Sequence, residues 1–326
     1  MEINNLKIVF MGTPEFAVES LRILVENGCQ VVAVVTQPDK PVGRHASTLH
    51  QPPVKQYALQ QGLPVLQPEK MRDPAFIQEL EAYHADLFVV VAFRMLPEVV
   101  WNMPRFGTFN VHAALLPQYR GAAPINWAII NGEKQTGVTT FFLDHDIDTG
   151  RIIMQKPFDI PDDADVEYVY NGLMQLGAEI CMETVEAIAQ ADGQLPTHDQ
   201  SLMMPEGNEL HVAPKIFKET CRINWKQPMA RIHNFVRGLS PIPGAWTTFT
   251  HEGGVQQTMK IYKTSLSSRR WADVPVGGVI CEGKQMFVAV EDGSVVVESM
   301  QLAGKKRMDT KDFLNGFHDD GQWMMV

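Results

Sequence analysis

The chain has 326 residues, of which 45% are apolar and 20% charged, with a formal net charge of −10. At roughly 150 residues per domain this is ordinary for a globular protein of about two domains. The longest apolar run, Leu87–Phe93, ends at Arg94, far short of the ~20 residues a membrane helix needs, and the first residues lack a basic stretch followed by a long apolar one, so no secretory signal or membrane association is expected and the cytoplasm is the expected compartment.

Leu6–Met11 is an apolar run between turn residues and reads as a buried strand. Phe16, Val18, Leu21, Leu24 and Val25 follow at helical spacing, and Asn27-Gly28 is a stop signal. Val31–Thr36 is a second strand. The stretch Gln37–Gln51 is longer than the usual strand-to-helix connection and contains Pro38, Pro41 and Gly43 but little that could form a core. It is expected to be a functional, poorly ordered loop. Pro52–Gln61 and Ala75–Tyr83 read as helices, with a short strand at Pro64–Leu66 between them. Asp86–Phe93 is apolar at nearly every position, as in a strand buried on both faces of a parallel sheet. Gly107–Ala113 is a fifth strand and Pro124–Ile130 a short helix. This order predicts an α/β, doubly wound, mostly parallel sheet.

Gly137–Leu143 and Arg151–Phe158 then follow without a helix, which predicts an edge hairpin. Val166–Ala189 is a long amphipathic helix, with Val169, Leu173, Leu176, Ile180, Val185 and Ile188 on one face. Around 191–213 turn residues dominate and a linker is expected. Beyond it lie short strand-like segments separated by Gly turns, at Thr247–Thr250, Met259–Thr264, Gly278–Ile280, Met286–Val290 and Ser294–Met300, with one helix near Pro228–Arg237. A small Greek-key or OB-like β-barrel is the natural architecture.

The cysteines Cys29, Cys181, Cys221 and Cys281 are far apart, which gives no sign of a disulfide framework or a zinc site. Met11-Gly12-Thr13-Pro14 has one glycine where a dinucleotide site would have three, so Gly12 reads as a tight strand-to-helix turn. Asn110 and His112 share one face at the end of the fifth strand, where open α/β sheets bind ligands. An amide beside an imidazole can stabilise a developing oxyanion and move a proton; two satisfied polar residues at a strand end is the plainer account. Asp144-His145-Asp146-Ile147-Asp148-Thr149-Gly150 is rich in carboxylates, but Thr149 and Gln155 occupy the positions where a calcium loop needs Gly and Glu. The alternative is a hairpin turn that delivers one carboxylate to a neighbouring site, and the residues alone do not choose among the three aspartates. No metal is expected.

The charge is uneven. Residues 1–207 carry 13 Lys+Arg against 26 Asp+Glu, and residues 208–326 carry 15 against 12. A mildly basic C-terminal part permits a phosphate-binding face without requiring one.

Taken together, Met11-Gly12-Thr13-Pro14-x-Phe16-Ala17, Asn110-x-His112, Leu115-Leu116-Pro117-x-Tyr119-Arg120-Gly121-Ala122-Ala123-Pro124 and Asp148-Thr149-Gly150 resemble the folate-dependent formyltransferases. Arg237-Gly238-Leu239-Ser240-Pro241-x-Pro243-Gly244-Ala245-Trp246 and Gly304-Lys305-Lys306-Arg307-Met308 narrow the resemblance to those that act on methionyl-tRNA, over nearly the whole chain. The resemblance implies a formyltransferase catalytic domain at 1–190, a linker at 191–207 and an OB-like tRNA-binding domain at 208–326. It implies transfer of the formyl group of 10-formyltetrahydrofolate to the α-amino group of methionyl-initiator tRNA by a monomer. Asn110 and protonated His112 would then hydrogen-bond the tetrahedral oxyanion, and Asp148 would hold His112 in register and help take a proton from the amine. By the same analogy the folate lies against Ala114, Leu115, Leu116 and Pro117, with Val91, Phe93 and Met95 near the pterin. Arg44 in the long loop, and Lys305, Lys306 and Arg307, would contact tRNA.

Three departures stand out from the family pattern. Ala114 replaces a common Ser, the loop after Arg44 lacks the usual lysines, and Phe93-Arg94 replaces Tyr-Gly. The alternatives are another acceptor amine, or a non-catalytic RNA-binding protein using Trp225, Trp246 and Tyr262 on the barrel. Retention of Asn110, His112 and Asp148 together argues against a pure binder.

Overall fold

A computed structural model describes residues 2–42, 48–203, 209–317, 319–320 and 322–326. The N-terminal elements are β1 (Lys7–Gly12), α1 (Glu15–Glu26), β2 (Gln30–Val35), β3 (Lys40–Val42), β4 (Thr48–His50), α2 (Pro53–Gln60), β5 (Val65–Leu66), α3 (Pro74–Glu81), β6 (Leu87–Val91), α4 (Glu98–Trp101), β7 (Thr108–His112), β8 (Arg120–Gly121), α5 (Pro124–Ile130), β9 (Gln135–Phe142), β10 (Ile152–Asp159) and α6 (Val166–Gln190). The turn chemistry follows the sequence. Asn27 and Gly28 end α1, with Gly28 at φ +74° and the Asn27 amide donating to the Ile23 carbonyl. Asp73 caps α3 by accepting from the Ala75 amide, ahead of Pro74 in the first turn.

These strands form a seven-stranded sheet in the order β10-β9-β7-β6-β1-β2-β5. The pairs β7-β6, β6-β1, β1-β2 and β2-β5 are parallel. β9 runs antiparallel to β7 and to β10, so the hairpin sits at the sheet edge. All five residues of β6 are buried, as expected for a strand covered on both faces. The turn after β1 needs a glycine: a Cβ on Gly12 would lie 2.7 Å from the Ala17 Cβ and 2.9 Å from the Val91 carbonyl oxygen.

The long connection after β2 is not structureless. β3 and β4 pair as an antiparallel ribbon with Lys40 opposite His50. Arg44 lies outside the described residues.

The remaining elements are β11 (Val212–Ala213), α7 (Met229–Arg237), β12 (Ala245–His251), β13 (Gln256–Ser267), β14 (Val279–Glu282), β15 (Gln285–Val290), β16 (Gly293–Leu302), β17 (Met308–Asp309), α8 (Thr310–Phe313) and β18 (Trp323–Met325). Strands β14-β15-β16-β13-β12-β18 form one antiparallel sheet, with β17 paired to β16. Gly278, just before β14, bridges Met324 on β18 and brings the edges together into a nearly closed, OB-like barrel. The sequence reading missed β17, β18 and α8, which are too short to carry a period. The barrel core gathers Trp225, Phe249, Met259, Ile261, Met286, Val288, Val295, Val297 and Met300, with Ile232 and Val236 from α7. Trp225 is therefore core, its indole N–H donating to Thr247 Oγ1 at 2.9 Å.

The chain separates into two compact units. The first comprises Met1–Gly121, Gln135–Asp159 and Tyr170–Val212, and the second Ala122–Lys134, Ile160–Val169 and Ala213–Val326. Part of the stretch expected to be a linker packs in the first unit. His198 bridges Ile152 on β10, and the Arg151 guanidinium donates to Thr197 Oγ1 and its carbonyl.

Candidate functional site

Strand β7 ends at His112, and its side-chain alternation puts Asn110 and His112 on one face. His112 is 6% exposed. Its Nε2 lies 2.9 Å from the Tyr119 carbonyl oxygen, which can only accept, so Nε2 carries the proton. Nδ1 faces Asp148, with Oδ2 at 3.8 Å. That distance allows charge attraction but is too long for a hydrogen bond. Tyr119 therefore hydrogen-bonds the ring at Nε2, and Asp148 faces the other nitrogen at ion-pair distance. Tyr119 is itself fixed in the left-handed region, at φ +60°, where its amide donates to the His211 carbonyl and its ring stacks on His211.

Asn110 supplies the second polar group. Its Oδ1 is buried and has no hydrogen-bond partner among the described residues. A buried amide with an unmet bond costs about 1–3 kcal/mol. A ligand that brings a hydrogen-bond donor to this point removes that cost, so the site fits an amine or another N–H or O–H group.

The three aspartates of the 144–150 turn divide by geometry. Asp144 Oδ1 accepts from the Asp146 amide and from Thr149 Oγ1, which folds the turn on itself. Asp148 Oδ2 accepts from the Gly121 amide at 2.9 Å and faces His112. Asp148 is held at φ +56°. Gly150 has no room for a side chain: its Cβ would lie 1.7 Å from the Phe142 carbonyl oxygen.

A second arm of the turn is Gln200, which carried no sequence signal. It is 2% exposed. Its Nε2 donates to the Asp148 carbonyl at 3.0 Å and the Gly150 carbonyl at 2.7 Å. Its Oε1 accepts from Arg120 Nε and Nη2 at 3.1 and 2.7 Å.

The segment 114–117 is clamped on the hairpin. Thr139 Oγ1 donates to the Ala114 carbonyl and accepts from the Leu116 amide, and Gln155 Nε2 donates to the Leu116 carbonyl. Ala114, Leu116 and Pro117 are buried, whereas Leu115 is half-buried. A hydroxyl at 114 would therefore lie in the packed interior and not on an open surface. Val91 is buried, Phe93 half-buried and Met95 72% exposed. Arg94 turns to the 68–69 segment, donating to the Pro68 and Glu69 carbonyls.

In the barrel, Lys305, Lys306 and Arg307 are exposed. Arg307 lies over the Tyr262 ring at 4.5 Å and donates to Ser299 Oγ. Among the described residues no group of three His, Cys, Asp or Glu is placed to hold a metal ion, and no helix is long and apolar enough to cross a membrane.

Comparison with known proteins shows the family to which the chain belongs. The profile of the formyl transferase family matches residues 6–185, and that of the formyl transferase C-terminal domain matches 215–318. The methionyl-tRNA formyltransferase of Parabacteroides distasonis is 57% identical over 320 residues, covering 97% of each chain. That of Bacteroides thetaiotaomicron is 54% identical over 326 residues, covering 99% of this chain and 100% of its own. Among solved structures, the sugar 3N-formyl transferase WlaRD, crystallised with dTDP and 5-N-formyl-THF, shares the fold at a TM-score of 0.62 and 20% identity, covering 94% of this chain and all of its own. HypX of Aquifex aeolicus in complex with tetrahydrofolic acid does so at 0.60 and 19%, with 97% of this chain on 48% of its own. By sequence, over both of its parts, the chain belongs to the methionyl-tRNA formyltransferase family.

Proposed function

We propose that Asn110, His112 and Asp148 carry out the activity of this family, transfer of a formyl group from 10-formyltetrahydrofolate to the α-amino group of methionyl-initiator tRNA. The observation that carries this is the buried Asn110 Oδ1, without a partner among the described residues, two positions from a His112 whose one ring nitrogen is committed and whose other faces a carboxylate. The amine nitrogen bonds to the formyl carbon of the folate, and the tetrahedral intermediate then breaks its bond to N10, which takes up a proton and leaves as tetrahydrofolate. The Asn110 side-chain N–H and, in the protonated ring, His112 Nδ1–H are placed to hydrogen-bond the formyl oxygen as it gains negative charge, while Asp148 accepts a proton from the amine, directly or through water. The half-buried Leu115 and Phe93 and the exposed Met95 offer apolar surface for the folate, while Val91, Ala114, Leu116 and Pro117 support it from within. Single-turnover formylation tests the assignment. Asn110→Ala and His112→Ala should each be slower by roughly 10²–10³-fold with the thermal transition unchanged. A loss under tenfold in either, with the fold intact, places the oxyanion site elsewhere.

The division of labour completes the proposal: residues 1–190 do the chemistry, 191–207 connect, and 208–326 hold the tRNA, the enzyme acting as a monomer in the cytoplasm. Lys305, Lys306 and Arg307 are exposed, as phosphate ligands must be. Neutralising all three should raise KM for tRNA and flatten its salt dependence, by a slope of about 0.7–0.9 for each phosphate that is no longer neutralised. An unchanged slope makes this cluster a solvated surface. Arg44 is assigned to the acceptor end. Arg44→Ala should slow formylation of methionyl-initiator tRNA by about tenfold, the worth of one charge-assisted hydrogen bond, and leave transfer to a minimal methionyl ester unchanged. Equal losses on both substrates remove Arg44 from the tRNA interface.

A further inference from the structure

Gln200 lies between residues 185 and 215, the span that neither matching family profile covers. Its amide is nonetheless fully engaged. The oxygen accepts twice from Arg120 and the nitrogen donates once each to the carbonyls of Asp148 and Gly150. The orientation is unambiguous, because turning the amide over would set its N–H groups against a guanidinium and its oxygen against two carbonyl oxygens. The side chain is 2% exposed, so water does not compete for these bonds.

What those partners do is specific. Asp148 is a non-glycine residue in the left-handed region, a conformation that persists only when surrounding groups hold it. Two sets of groups hold it here: the Gly121 amide on the carboxylate, and Gln200 on the carbonyl. Arg120, the other partner of Gln200, directly follows Tyr119, whose carbonyl accepts a hydrogen bond from His112 Nε2–H. One buried amide thus links the backbone of the Asp148 turn to the Arg120 guanidinium, next in the chain to the carbonyl that holds His112.

We propose that Gln200 is a positioning residue for formyl transfer, acting by fixing the Asp148 turn against the Arg120 strand. This rests on the role given above to Asp148. It predicts that loss of the Gln200 amide lowers kcat and leaves KM for both substrates unchanged, because neither substrate touches it.

A double-mutant cycle on the full-length enzyme tests this, by single-turnover formylation of methionyl-initiator tRNA at saturating 10-formyltetrahydrofolate. Gln200→Ala should be slower by about 10–100-fold, as expected for a shift of ångström size at a reacting group. Gln200→Glu keeps the acceptor for Arg120 but presents carboxylate oxygens to the Asp148 and Gly150 carbonyls, and should be at least as slow. In the Asp148→Asn background, Gln200→Ala should cost less than about threefold, since a residue that acts through Asp148 has nothing left to position. Equal cost in both backgrounds overturns the proposal and makes Gln200 a general support of the fold. A severe Asp148→Asn with a Gln200→Ala close to wild type overturns it too. An Asp148→Asn variant that keeps its rate overturns the role of Asp148 instead, and is recognisable as such because the first variant alone reports it.

Discussion

Strand β7 and the 144–150 turn face each other across the candidate site and are built in opposite ways. β7 lies between β6 and β9, paired on both sides along its length. Its apolar residues Phe109 and Val111 are buried, and the pleat alone sends Asn110 and His112 to one face. The turn has no such lattice. Residues 144–147 are exposed, and its shape comes from particular groups: Asp144 on Thr149, a missing Cβ at Gly150, the Gly121 amide and Gln200. A regular element absorbs a local change without losing direction, whereas a turn held by a few bonds moves when one fails.

Two substitutions set this contrast against itself. Gly150→Ala forces a Cβ onto the Phe142 carbonyl oxygen, and the turn must move away. Turnover should fall by about 10²-fold, the cost of misplacing a reacting group, with a smaller loss of stability. Preserved turnover would mean that the position of Asp148 does not limit the reaction. Val111→Ala, between the two polar residues of β7, is the converse. Val111 is 3% exposed, so a cavity should lower stability by roughly 1–3 kcal/mol in denaturant titration. Turnover should stay within about threefold, because the strand's hydrogen bonds still aim Asn110 and His112. A large loss of rate at full folding would show that β7 is no more rigid a platform than the turn.

Much of the fold was legible in the linear sequence because burial leaves a periodic trace. β6 reads as a strand because all of its residues are apolar. α5 reads with both ends correct because Pro124 starts it and Asn131-Gly132 stop it. The barrel reads from short strand-like segments between Gly turns, such as Met286–Val290 within β15. The identity of Asn110 and His112 as a same-face pair follows from a spacing of two in such a strand.

The remainder was decided only in three dimensions, where the deciding groups are far apart in sequence or belong to the backbone. Residue spacing left three aspartates of the turn open; which of them faces His112 depends on the Gly121 amide and on how the hairpin folds. The state of the His112 ring depends on the carbonyl of Tyr119, an atom every residue type possesses and no sequence pattern marks. Gln200 sits in a turn-rich stretch that reads as a connection, and its four hydrogen bonds reach residues 50 to 80 positions away. Periodicity reports which face of an element is buried; it carries no record of which distant backbone group a buried amide will meet.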